Sequence, residues 1–208
     1  MTELMKNENG VTLLQAIIVL AIIGILGAIF VPDQHKSDKK SETRKESTKK
    51  DDRTVIKNKI RDIEDDYIEK VDLTLFDNDK YSANIFYSRD SALSASSYIF
   101  SAGQDVMEIS HEIMEQWPEK ITRLVYFIRA PTQDKYGNQG SSLAIKLFYK
   151  ANDLNKINWD NFTNWQMLNI TSDMEIKPLG RSMIAKYCQD TGNAKYSGDF
   201  CRQALNNY

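Results

Sequence analysis

The sequence predicts an α+β fold: an amino-terminal transmembrane helix, a charged linker, then an antiparallel sheet of about four strands with helices packed on one face. Three observations predict it. Residues 11–31 carry no charge, residues 33–53 carry no apolar side chain, and the rest alternates helical with strand-like periodicity in the order α-β-β-α-β-β-α. The expected division is a leader at 1–10, the membrane helix at 11–32, a flexible linker at 33–53 and an α+β domain at 54–208.

Between Val11 and Val31 only Thr12 and Gln15 are polar. At about 1.5 Å per residue, a helix of that length spans roughly 31 Å, close to the hydrocarbon thickness of a bilayer. A cleaved secretory signal has a shorter apolar region and a basic start, whereas "MTELMKNENG" sets Lys6 against Glu3 and Glu8. Gly24 and Ala28, with Ala21 and Gly27 nearby, offer small residues where a second helix could approach.

The following segment, "DQHKSDKKSETRKESTKKDDR", has eight Lys/Arg, six Asp/Glu and nothing to bury. Like charges four apart, such as Lys36 and Lys40 or Glu42 and Glu46, weaken an isolated helix. A flexible tether is expected.

In "TVIKNKIRDIEDDYIEKV" Ile56, Ile60, Ile63 and Tyr67 fall on one helical stripe. "VDLTLF" and "KYSANIFYS" alternate, and the "DND" between them makes the pair a hairpin. From Asp90 to Trp117, Ile99, Val106, Ile113 and Trp117 share a helical face, and Pro118 stops the run. "ITRLVYFIRA" and "SSLAIKLFYKA" read as strands joined by the loop "PTQDKYGNQG". A short helix is expected around Asp160–Leu168, a further strand near "MEIKP", and small helices at "RSMIAKYC" and "SGDFCRQAL".

The amino-terminal segment "GVTLLQAIIVLAIIGILGAIFVP" resembles the signature of type IV prepilins and of the pilin-like subunits (pseudopilins) of type II secretion systems. Gly10 falls at the processing glycine, Val11 at the new amino terminus and Thr12 at the family's threonine. Gly24 and Pro32 stand where such helices carry a glycine and a proline. The resemblance implies that a prepilin peptidase cuts after Gly10 and methylates the amine of Val11. Assembly with other pilin-like subunits would then use the helix, with Thr12, Gln15, Gly24, Ala28 and Pro32 as its contributing positions. The family's usual Glu, which pairs with a neighbouring subunit's amine, is Gln15 here. An amide accepts a hydrogen bond but cancels no charge. That suits a minor or tip subunit, or a polar residue tolerated near the interface.

Topology signals conflict. Seven Lys/Arg follow Pro32 within about twenty positions, and Lys6 alone precedes the helix; by the positive-inside rule this places the domain in the cytoplasm. The resemblance places it outside a bacterial inner membrane, in the periplasm or beyond. The cysteines are Cys188 and Cys201, flanking glycines that let the chain turn back. A disulfide there would stabilise by about 3 kcal/mol in the chain-entropy model and would imply an oxidising compartment. The alternative is a pair of buried thiols.

No catalytic motif stands out. Net charge is −2 and the pI is about 5.8, so no general basic field points to a nucleic-acid partner. His35 and His111 are isolated, and "HEIME" lacks the second histidine of a zinc-protease helix. "DNDKYSAN" lacks the glycine and closing glutamate of a calcium loop. Asp134 in "DKYGNQG" reads as a turn former, and Trp159 and Trp165 as core, edge or contact aromatics. The expectation is a pilin-like assembly subunit, with no catalytic residue, cofactor or metal. The alternative is an unprocessed single-pass protein whose soluble domain binds a partner.

Overall fold

The computed structural model describes residues 40–89 and 94–206, with side chains from Asp52 onward. Contacts divide the chain into Met1–Thr43 and Arg44–Tyr208, and the sheet belongs wholly to the second unit. Helix α1 (Lys40–Ile63) begins within the charged segment and continues along the stripe of Ile56 and Ile60, both buried. It ends four residues before Tyr67, because the amides of Tyr67 and Ile68 both turn back to the Glu64 carbonyl, at 3.0 and 2.8 Å. The chain then enters β1 (Ile68–Asp77), whose Val71 and Leu73 point into the core.

A two-residue turn at Asn78 and Asp79, with φ of 35° and 71°, closes the hairpin to β2 (Lys80–Ser88). Positive φ at both central positions matches the twist of paired strands, and Asn and Asp tolerate it better than most residues. Helix α2 (Ala95–Gln116) follows, capped by Ser94 and Ser97, which exchange side-chain-to-backbone hydrogen bonds of 3.1 and 2.9 Å. Trp117 ends it just before Pro118. Then come β3 (Ile121–Gln133), β4 (Gln139–Lys150) and the short helices α3 (Ala151–Leu154) and α4 (Asn164–Asn169). β5 (Asp173–Ile176) and α5 (Pro178–Gln189), α6 (Thr191–Tyr196) and α7 (Gly198–Asn206) complete the chain.

The five strands lie in the order β1-β2-β3-β4-β5, and β2 pairs with β3 in parallel while the other pairs are antiparallel. This corrects the expected antiparallel sheet of about four strands to an α/β domain with a mixed sheet of five. The cause is α2. Its 22 residues cover about 33 Å, enough to carry the chain back along β2, so β3 starts at the same end as β2. A helical crossover makes a parallel pair, whereas a tight hairpin makes an antiparallel one. The transmembrane helix expected as part of the fold is also corrected. No helix among the described residues is long and apolar enough to cross a membrane, and residues 11–32 lie outside them. The membrane, single-pass and pilin-like descriptions therefore find no support in the fold itself.

Helices α2 and α5 pack on one face of the sheet, and α4 packs against α2. There Ile85, Tyr87, Tyr126, Ile128, Leu147 and Tyr149 join Ile99, Val106, Ile109 and Ile113 of α2 in the core. A bulge on β4 skips Ala144, since Ile128 pairs with Ile145 and Arg129 with Leu143. The freed Ala144 carbonyl accepts the Lys177 amide at 2.9 Å, which seats the start of α5. Gly180 follows so closely that a Cβ there would lie 2.1 Å from the same oxygen. Backbone, which cannot swing aside, forms that obstacle. Gly180→Ala is therefore expected to destabilise the domain by about 2–3 kcal/mol through overpacking, read as a lowered midpoint in urea with an unchanged slope.

Candidate functional site: the strand-end cluster and the open sheet face

Asp105 stands on α2 between Ala102 and Val106, on the face that packs against the sheet, and is only 6% exposed. An acid in an apolar stripe needs partners. The Tyr87 hydroxyl of β2 donates to its Oδ2, and the Arg89 guanidinium lies 3.2 Å from the same oxygen. Arg89 also donates to the Tyr67 hydroxyl at 3.1 Å and stacks over that ring at 4.3 Å. Its amide donates at 3.3 Å to the Tyr98 hydroxyl, which itself donates to the Arg129 carbonyl. One cluster thereby joins the α1–β1 turn, the end of β2, α2 and β3.

Burial raises the Asp105 carboxyl above the usual range, opposed by the Tyr87 hydrogen bond and the Arg89 charge. Burial first, then the hydrogen bond to Asp105, pushes the Tyr87 phenol far up. Burial likewise takes Tyr98 up to about 12. Both phenols therefore stay protonated and donate. Tyr87 is fully buried, so the cluster presents no reactive pair to a substrate. It acts as a clamp between helix and sheet.

Beside it lies a crevice of about 450 Å³ whose lining includes Glu69, Ser88, Arg89, Gly140 and Ser141. Arg129 spans this end of the sheet. Its Nε and Nη2 donate to the Ser141 hydroxyl and carbonyl at 3.0 and 2.8 Å, and its Nε lies 3.5 Å from Glu69. The crevice is polar and already internally paired.

The sheet face away from α2 carries a transverse row with one residue from each strand: Lys70, Phe86, Phe127, Lys146 and Glu175, paired in register. The two rings stack at 4.5 Å, with the Lys70 and Lys146 ammonium groups 5.1 and 5.3 Å from their respective ring centroids. Lys146 donates to Glu175 at 2.6 Å. Hydrogen bonds from Lys146 and then Lys177 hold the Glu175 carboxyl at about 2.

No family model, curated protein or solved structure matches this chain.

Of the positions expected to matter, Gly10, Val11, Thr12, Gln15, Gly24, Ala28 and Pro32 all lie outside the described residues. Cys188 and Cys201 are joined in a disulfide with Cα atoms 5.8 Å apart, tying α5 to α7. Asp134 forms a turn, accepting the amides of Tyr136 and Asn138 at 2.8 and 2.9 Å. His111 stacks on Trp159 at 4.8 Å, and Trp165 packs edge-on to Phe100 at 5.5 Å. Both tryptophans are half-buried against the core rather than free contact residues. Among the described residues no group of His, Cys, Asp and Glu could hold a metal ion. The sequence carries one signal of the cluster around Asp105, an acid within the apolar stripe of α2, and its partners Tyr87 and Arg89 come together only in the fold.

Asp105→Leu should cost about 2–3 kcal/mol, because Arg89 loses its carboxylate and the Tyr87 hydroxyl its acceptor. Tyr87→Phe should cost about 1 kcal/mol, since Arg89 still serves Asp105. Chemical denaturation of each variant checks the order. Reducing the disulfide, or replacing both cysteines by serine, should lower stability by about 3 kcal/mol, read as a thermal midpoint that depends on reductant.

Proposed function

We propose that this protein is a pilin-like minor or tip subunit of a type IV pilus or type II secretion pseudopilus. A prepilin peptidase would cut it after Gly10 and methylate Val11, and the residues that follow would join it to other pilin-like subunits. The observation that carries the reading is the segment "GVTLLQAIIVLAIIGILGAIFVP", with Gly10, Thr12, Gly24 and Pro32 at the positions those subunits use. The reading makes the chain an assembly subunit rather than an enzyme. Its place would be the bacterial inner membrane, with the folded domain on the periplasmic or outer side. The Cys188–Cys201 disulfide supports that side, because disulfides persist in oxidising compartments.

A second reading is favoured by the Lys and Arg after Pro32. It is an unprocessed single-pass protein with a cytoplasmic domain that binds a partner.

The intact mass of protein recovered from cells distinguishes them. Under the first reading the chain lacks residues 1–10 and carries one added methyl, and Gly10→Phe leaves it full length. A chain that retains Met1 overturns that reading. Alkaline phosphatase fused after Tyr208 should be active under the first reading and silent under the second.

A further inference from the structure

Cations on the open sheet face are matched one by one, with an exception. Lys70 pairs with Asp72, Lys146 with Glu175 and Arg129 with Glu69. Arg123 on β3 and Lys150 on β4 instead oppose each other directly in the antiparallel register. Their Cβ atoms are then about 4.5–5.5 Å apart, and like charges so placed are destabilising. Both are exposed, and neither makes an ion pair among the described residues. Arg123 only donates to the Ser82 hydroxyl at 3.2 Å and leans 5.9 Å from the Phe76 ring. Phe76 is itself 64% exposed at the end of β1. An uncompensated cation pair thus borders an uncovered aromatic ring.

We propose that this end of the open face binds a short acidic and apolar segment of a partner protein. A carboxylate of the segment bridges the Arg123 guanidinium and the Lys150 ammonium, and a neighbouring apolar side chain covers Phe76. A planar guanidinium forks onto a carboxylate through two parallel hydrogen bonds, and the ammonium adds a third donor. Charge complementarity also selects a protein segment over a nucleic acid. A phosphate backbone needs cations along several successive charges. Asp72, Asp173 and Glu175 lie on the neighbouring rows of this face and repel a polyanion running across it. The surface offers one strong anion position beside one apolar position. The inference stands apart from the processing of Gly10.

The test uses the full-length protein and a fluorescent peptide alternating Glu and Leu, with binding followed by anisotropy. Saturable binding is expected, weakened at least about tenfold by Arg123→Glu or Lys150→Glu and reduced by Phe76→Ser. The double charge reversal should instead bind the matching peptide with Lys in place of Glu. Lys186→Glu, on α5, should leave binding unchanged. Thermal melting separates binding from folding: Lys150→Glu should melt no lower than wild type, because it relieves the repulsion. Absence of saturable binding overturns the proposal, as does equal loss in Lys186→Glu. So does a thymidine oligonucleotide that binds as tightly as the acidic peptide, or a Lys150→Glu variant that melts lower than wild type.

Discussion

The Asp105 carboxylate decides how the crossover helix lies on the sheet. Hydrophobic packing alone would let α2 slide or rotate over the apolar strand faces, because it rewards area and is indifferent to direction. A buried carboxylate held by the Tyr87 hydroxyl and the Arg89 guanidinium has direction. Leaving those groups unpaired in the core is costly. The same cluster reaches Tyr67 and Tyr98, so the entry to β1, the end of β2 and the course of β3 are set with respect to one another. The crossover that makes β2 and β3 parallel is thereby held in a single placement.

Local elements were legible where periodicity was strong. The stripe of Ile56 and Ile60, the alternation of "KYSANIFYS" and the stop at Pro118 each find their element in the fold. Boundaries were less so. Tyr67 completes a helical stripe on paper, yet the turn at Glu64 places it at the mouth of a strand. Strand direction does not follow from the two hairpins alone, because the helix between them is a crossover as well as a cover. Its length was the available clue to a crossover. The strand expected near "MEIKP" is β5, and its place at the edge of the sheet comes from its pairing with β4. The clamp around Asp105 and the opposed Arg123 and Lys150 need spatial register, which only the folded sheet supplies.

Function divides along the chain in the same way. The proposed assembly role rests on the residue types and spacing of residues 10–32. What bears on recognition lies in the folded domain, where the polar groups of the strand-end crevice are mostly satisfied by one another. The open sheet face differs, since its charges are balanced along most of its width and uncompensated at one end. Under the proposed assembly reading the domain contributes the surface it displays, and this asymmetry gives that surface a definite address.

The row Lys70–Phe86–Phe127–Lys146–Glu175 also bears on how the sheet finds its alignment. In-and-out alternation penalises a slip of one residue, because it turns the apolar side chains outward. It is blind to a slip of two, which restores the alternation. The row is not blind to it. Moving β1 by two positions brings Ile68 or Asp72 against Phe86 and strips that ring of its ammonium, and the slip of β5 that sets Lys177 against Lys146 opposes two ammonium groups. A line of charges and rings across five strands thus acts as a vernier, penalising misalignments that burial alone would accept.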